Sequence, residues 1–307
     1  MDQQLGNRRE IREFLTSRRA RITPEQAGLP TSARRRVAGL RREEVAVLAG
    51  VSTEWYTRLE RGHIGGVSED VLEAVARVLR LDDDERTYLF DLARSSRRAR
   101  RTTPSRRKDV EVPARVQWLL DSITTSAAFI RDGSTDIVAH NPLARALFAP
   151  MFDSVTTDER GRPNVARYTF LDPGARDFFV DWESAGAATA ALLRAEVGRE
   201  PRDRALHELI GELSARSPEF CSHWAAHDVL MRHDGTKLIQ HRDVGHLELA
   251  FQSLDVPLSG RAVHNLIVYT AEPGTASAER LELLAIWATT QSQQAPPANR
   301  DPQHRRL

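Results

Sequence analysis

The sequence is short of cysteine, lysine and long apolar runs. Cys221 is the only cysteine among 307 residues, which excludes an internal disulfide framework and fits a reducing compartment. Lys108 and Lys237 are the only lysines, so nearly all positive charge is arginine. Arginine suits bidentate contacts to phosphate and guanine, but GC-rich codon usage produces the same bias. No apolar stretch approaches the ~18 residues of a membrane span, and the opening MDQQLGNRRE lacks the apolar core of a signal peptide. A cytoplasmic location without a membrane partner is therefore expected. There is no internal repeat and no glycine-rich phosphate loop.

What is present supports folded domains. Hydrophobic residues make up 40% and charged residues 28%, enough apolar material for buried cores and against global disorder. The length suits two domains. A net charge of +1 hides an asymmetry: residues 1–108 carry 24 basic and 16 acidic side chains, and the remainder is net acidic. A basic N-terminal part suggests an element that meets a polyanion.

Residues 1–94 read as five helices. The first covers Arg9–Arg21. After an irregular stretch containing Arg34, Arg35 and Arg36, a second covers Arg41–Ala49, and a third follows Gly50-Val51 and runs to Arg61. Ser68 caps a fourth, with Val71, Leu72, Val75, Val78 and Leu79 on its apolar face. The fifth starts near Asp82, with acids where the helix dipole favours them, and presents Tyr88, Leu89 and Leu92.

The sharpest signal is Arg42–Arg61, REEVAVLAGVSTEWYTRLER. Small Ala46 lets two helices approach, and Gly50 sits where a tight turn needs positive φ. Val45, Ala49, Val51, Tyr56 and Leu59 fall on inward positions, and Ser52 caps the second helix. This pattern resembles the lambda-repressor-like helix-turn-helix, whose second helix enters the major groove of double-stranded operator DNA. The positions left facing out are Ser52, Thr53, Glu54, Trp55, Thr57, Arg58 and Arg61. Thr53, Glu54 and Thr57 are the best candidates for base edges, since Glu accepts from cytosine N4 and a Thr methyl meets a thymine methyl. Arg58 suits guanine or phosphate, and Trp55 either stands exposed or packs on the fourth helix.

Residues 95–110 read as a basic linker, 111–290 as a second domain and 291–307 as a disordered tail. The second domain mixes helical and strand periods. Val116, Leu119, Leu120 and Ile123 mark a helix; Ala127–Arg131 and Thr135–His140 flank a hairpin turn, Asp132-Gly133-Ser134. Asn141-Pro142 opens a helix. Gly174–Val197, Arg204–Ala215 and Pro218–Ala226 read as helices. Val229–Arg232 and Lys237–His241 read as a second hairpin around His233–Thr236. Leu247–Phe251 and Leu266–Thr270 are strand-like, and Ala278–Thr289 is a last helix. This predicts an α+β domain with an antiparallel sheet beside an all-α N-terminal domain.

The resemblance extends beyond the turn. GLRREEVAVLAGVSTEWYTRLERG and VSEDVLEAVARVLRLDDDERTYLFDLAR look like the DNA-binding half of the MmyB-type transcription regulators. DIVAHNPLARALF, FFVDWESA, GELSARSPEFCSHWAAHDV, GTKLIQH, VGHLEL and VYTAEPG look like their sensor. That resemblance implies an XRE-like regulator whose PAS-like domain takes a small, lipid-like effector such as a fatty acid, acting as a homodimer and catalysing no reaction. It implies that Arg42 holds phosphate and that Arg19 and Glu60 form an ion pair between the first and third helices.

Other constellations carry less. His223 and His227 share a helical spacing that suits a metal, but no acidic or thiolate set converges with them, so no metal or other cofactor is expected. Cys221 and His223 are two apart and do not face each other, so no catalytic residues are assigned. Trp118, Phe178, Phe179 and Trp182 read as core. An apolar cavity is expected between the sheet and the helices of residues 142–224, with Asn141, His227 and His241 as candidate polar groups on the effector. Two other classes stay open: a protein-interaction module whose helical domain docks a partner protein, and an enzyme with an autoregulatory DNA-binding domain.

Overall fold

The computed structural model describes residues 2–30, 35, 37–98, 112–230, 233–258 and 263–294. The first elements in chain order are α1 (Asp2–Arg21), α2 (Arg42–Leu48), α3 (Thr53–Glu60), α4 (Glu69–Val78), α5 (Asp83–Arg98) and α6 (Ala114–Ser122). Strands β1 (Ala127–Arg131) and β2 (Ile137–His140) follow, then helices α7 (Pro142–Leu147), α8 (Ala149–Phe152), α9 (Val165–Leu171), α10 (Ala175–Phe178), α11 (Trp182–Arg199), α12 (Arg204–Arg216) and α13 (Pro218–Ala225). The chain ends with β3 (Asp234–His241), β4 (Gly245–Pro257), β5 (Val263–Thr270) and α14 (Ala276–Gln294).

The chain divides into two compact units. One holds Met1–Asp109, Thr169–Leu171 and Glu183–Arg232; the other holds Val110–Tyr168, Asp172–Trp182 and His233–Leu307. This grouping is not linear in sequence: most of α11, with α12 and α13, groups with the N-terminal helices.

In the first unit, Ile11, Phe14, Leu15, Val45, Ala46, Tyr56, Leu59, Leu72, Val75, Tyr88, Leu89 and Leu92 form one buried cluster, which Ala195 and Val229 join. Helix α1 starts at Asp2, not Arg9. Its polar first turns carry no apolar stripe, but they extend a helix already nucleated on Ile11, Phe14 and Leu15. Phe14 meets the Tyr88 ring edge-on at 5.1 Å. Helix α11 lies close against that ring at Gly198, where an added Cβ would collide with Tyr88 Cδ2 and Cε2. Helix α5 continues to Arg98, so the basic stretch begins in helix; residues 99–110, the rest of the expected linker, lie outside the described residues.

The second unit is built on an antiparallel five-stranded sheet, order β2-β1-β5-β4-β3. Successive side chains alternate between faces. One face puts Ala128, Ile130, Ala139 and Leu266 against Leu120 of α6, with Val116 and Ile123 alongside. The other carries Phe129 and Tyr269, whose rings lie 5.6 and 5.0 Å from that of Phe148. The β1–β2 turn follows the sequence: Asp132 Oδ1 accepts from the backbone N–H of Ser134 and Asp136 at 2.9 and 3.0 Å.

Several expectations need correction. Gly174–Val197 is not one helix. Between α10 and α11, Phe179 forms a β-bridge with Ile239, and Val180 N–H donates to Leu238 C=O at 3.2 Å, so these backbone groups leave the helix for the sheet. The second hairpin lies later than expected. Val229 and Leu230 form no strand, Met231 and Arg232 lie outside the described residues, and β3 turns into β4 at 242–244. Gly235 lies within β3 opposite Phe251; a Cβ there would approach the Phe251 ring to 2.9 Å. Trp118 is exposed, not core, at 70%, whereas Phe178, Phe179 and Trp182 are buried. Helix α14 reaches Gln294, so the expected disordered tail starts in helix and its remainder lies outside the described residues. No helix among the described residues is long and apolar enough to cross a membrane.

Candidate DNA interface and effector groups

The helix-turn-helix follows from local chemistry. Helix α2 begins with Glu44 accepting from the Arg41 backbone N–H at 2.7 Å. Glu44 also pairs with Arg35 at 2.6 Å, and these hydrogen bonds, Arg35 first, hold its carboxyl at about 2. Gly50 adopts φ 68° in the turn, a region that costs residues with a Cβ more. Ser52 Oγ then accepts from the Trp55 backbone N–H at 3.1 Å, satisfying one of the open donors at the start of α3. Val45, Ala46, Tyr56 and Leu59 are buried, which fixes the angle between α2 and α3.

At its far end, α3 is held by a buried carboxylate. Glu60 is 1% exposed. Arg19 reaches it with Nε at 2.9 Å and Nη2 at 3.1 Å, Arg42 with Nε at 2.9 Å, and Thr16 Oγ1 at 3.2 Å. Burial opposes ionisation of Glu60, but the hydrogen bonds from Arg19 and Arg42 outweigh it and keep the carboxyl below its ordinary value. The expected Arg19–Glu60 pair therefore forms.

The outward face of α3 is polar. Ser52, Thr53, Glu54, Arg58 and Arg61 are exposed and Thr57 is half-buried. Trp55 is half-buried and packs on the N-terminal core. Arg42 is 48% exposed with its guanidinium on Glu60, so it links the start of α2 to the end of α3. Of the preceding arginine run, Arg35 is engaged by Glu44 and the Gly39 carbonyl; Arg34 and Arg36 lie outside the described residues.

The three candidate effector groups have separate surroundings. Asn141, in the second unit, is 1% exposed. Its Oδ1 accepts from Ala128 N–H at 3.0 Å and Ala144 N–H at 2.8 Å, and its Nδ2 donates to the carbonyls of Ile123 and Ser126 at 2.7 and 2.8 Å. The amide has two donors and two lone pairs, and the backbone occupies all four. His241, also in the second unit, is buried with Nε2 3.2 Å from the Ala146 carbonyl, while Nδ1 accepts from Asp243 N–H at 3.1 Å. His227 belongs to the first unit and lines a cleft of about 540 Å³ made by α1 and α11–α13. No strand residue lines that cleft.

Residues that sequence reading passed over connect α1 to those helices. Arg194, 1% exposed, pairs with Glu10 at 2.7 Å, and Tyr88 Oη donates to the same carboxylate at 3.2 Å. Arg18 donates to the His227 carbonyl at 2.6 Å, and Arg21 pairs with Asp228 at 2.8 Å. No local pattern marks these residues, because each partner lies far along the chain. Among the described residues no cluster of three or more metal-ligating side chains occurs.

Comparison with known families agrees with this architecture. The MmyB-like transcription regulator ligand binding domain matches residues 112–284, and a helix-turn-helix domain matches residues 31–89. A search of curated proteins returns no match. The first match spans more than half of the chain, the second covers the α2–α3 pair, and the chain belongs to the MmyB-like family as a DNA-binding transcription regulator with a ligand-binding domain.

Proposed function

We propose that this protein is an operator-specific, XRE-like regulator that reads double-stranded DNA through α3, with a small, lipid-like effector setting the population of DNA-competent molecules. The observation that carries the reading is the contrast between the faces of α3: Tyr56, Leu59 and Glu60 are buried while Thr53, Glu54 and Arg58 are exposed. A helix held on one side and polar on the other is what major-groove insertion needs. Thr53, Glu54 and Thr57 read base edges, Arg58 takes guanine or phosphate, and Ser52, Arg42 and Arg61 hold the backbone. Ordering of Arg42 by Glu60 favours a phosphate contact, because less side-chain freedom is lost on binding.

The active form in this reading is a cytoplasmic homodimer on two half-sites about 34 Å apart, one helical turn. Exposed Trp118 and Leu119 on α6 and Leu283, Ile286 and Trp287 on α14 support self-association of the second unit. The sensor is PAS-like and no catalytic step is assigned to it. A binding-site selection followed by anisotropy titration at several salt concentrations tests the reading. Replacing Thr53 or Glu54 should change base preference, at about 1–3 kcal/mol per well-read base. Arg42→Ala should weaken all sequences alike and flatten the salt slope by about one unit. Salt-insensitive binding, or an unchanged selected sequence in the Thr53 and Glu54 variants, would overturn it.

A further inference from the structure

We propose that α14 carries the homodimer interface and pairs antiparallel with α14 of a second copy across a two-fold axis. The inference rests on the homodimer of the preceding reading and gives it a surface and an orientation. One face of α14 is used inside the chain. Leu281, Leu284 and Ala288 are buried, and the helix packs on α7 and β4. Ser277 Oγ accepts from Glu248 N–H at 2.9 Å, and Arg280 Nη1 donates to the His246 carbonyl at 2.5 Å, so the first turns are tied to the sheet. The other face presents Leu283, Ile286 and Trp287, exposed at 59%, 61% and 45%, and exposed Thr290 continues the row. Steps of three and four residues make these side chains one stripe, the pattern by which two helices interlock.

Charge decides the occupant and its direction. No charged residue stands between Glu282 and Arg300. A two-fold contact sets a patch against itself, so a charge at its centre would repel its own copy, and this stripe has none. Glu279 and Glu282 are exposed at one end of the row. A parallel pair would place each beside its own counterpart, where like charges repel. An antiparallel pair turns both toward the uncharged end of the second copy. A membrane surface fits less well, since interfacial helices carry Lys and Arg beside their apolar face and this row carries two acids. The three side chains offer the pair about 600 Å² of apolar surface, scaled from the ~150–250 Å² of a whole aromatic side chain. With an interface core about 65% apolar, the contact reaches ~1,000 Å², the low end of specific interfaces. A dimer of micromolar affinity is therefore expected.

Analytical sedimentation of the full chain, without DNA, over about 1–100 µM provides the test, and should show a monomer–dimer equilibrium. Ile286→Arg should raise the dissociation constant by about a hundredfold or more, because two like charges would meet at the axis, while the melting temperature of the monomer holds. Val155→Arg, at an exposed position elsewhere in the same unit, should change neither. Disulfide trapping reads the orientation, in a Cys221→Ser background because Cys221 is exposed. With the axis between Ile286 and Trp287, Leu283 stands opposite Thr290 of the second copy. Leu283→Cys mixed with Thr290→Cys should cross-link, and neither should alone. Each lies about 10 Å along the helix from its own counterpart, at ~1.5 Å per residue, beyond the ~7 Å between Cα atoms that a disulfide spans. A full chain that stays monomeric would overturn the proposal, whether residues 295–307 or another protein covers the stripe. So would a folded Ile286→Arg variant that dimerises as the parent does, or Leu283→Cys cross-linking to itself. The base preference of α3 is read in a separate titration, so this interface can fail while the DNA reading stands.

Discussion

Replacement of Glu60 by leucine should destabilise the helix-turn-helix far more than replacement of the arginine that looks most prominent from outside. Glu60 is 1% exposed, Arg19 14% and Arg42 48%. Removing one partner of a buried ion pair costs about 3–5 kcal/mol, because the other charge is left without compensation. Arg19 would keep its hydrogen bond to the Leu40 carbonyl, 2.8 Å, so Glu60→Leu is expected to cost about 2–4 kcal/mol. Arg19→Met leaves Glu60 with Arg42 and Thr16 and should cost about 1–3 kcal/mol. Arg42→Met removes the most solvated partner and should cost about 0–1 kcal/mol. The double variant Arg19→Met, Glu60→Leu should recover stability relative to Glu60→Leu alone, since apolar groups replace both buried charges. Urea-dependent hydrogen exchange, read on peptides from α1 to α3, isolates this unit from the sheet. An Arg42→Met cost equal to that of Glu60→Leu, or a double variant worse than both singles combined, would refute the reasoning. Acid adds a second check. Glu60 is held below its ordinary value of 4.5, so its contribution is complete above that value and is lost as pH falls through the folded one. The parent should therefore lose more stability than Glu60→Leu between about pH 6 and pH 3.

Three further outcomes follow from the packing. Ser52→Ala should cost about 1 kcal/mol by removing the cap on the Trp55 amide, visible as faster exchange at the start of α3; Ser68→Ala should cost less, because Ser68 makes no side-chain cap bond. Asn141→Leu strands the four backbone groups it serves, and at about 1–3 kcal/mol for a buried group left unsatisfied it should unfold the sheet unit in a thermal melt, whether or not an effector is added. Gly198→Ala places a Cβ against the Tyr88 ring and should cost about 1–3 kcal/mol of overpacking, with the loss appearing in exchange of both α1 and α11 peptides.

The helix-turn-helix was legible in sequence because its determinants are local. Ala46, Gly50, Ser52, Tyr56 and Leu59 act within one pair of helices, and their spacing states which face is buried. The β1–β2 hairpin was legible for the same reason: the Asp132 side chain bonds to backbone a few residues away. The Arg19–Glu60 pair came from family resemblance, since nothing in spacing alone joins residues 41 apart.

What tertiary structure decided is where long-range partners compete with local preference. The residues around Phe179 have helical neighbours on both sides, yet the backbone pairs with Ile239 and Leu238, a competition that no window of sequence contains. Asn141 looked like a polar group available to a ligand; in the fold its amide is consumed by four backbone groups. Arg194 and Glu10 stand 184 residues apart, and their pairing makes α11 a neighbour of α1, although the sequence places α11 inside the ligand-binding family. Sequence alone therefore determined the helix-turn-helix and the first hairpin, whose chemistry lies within a few turns. The composition of each core, and which buried polar atoms find partners, depended on distant segments meeting, which happens only when the whole chain has folded.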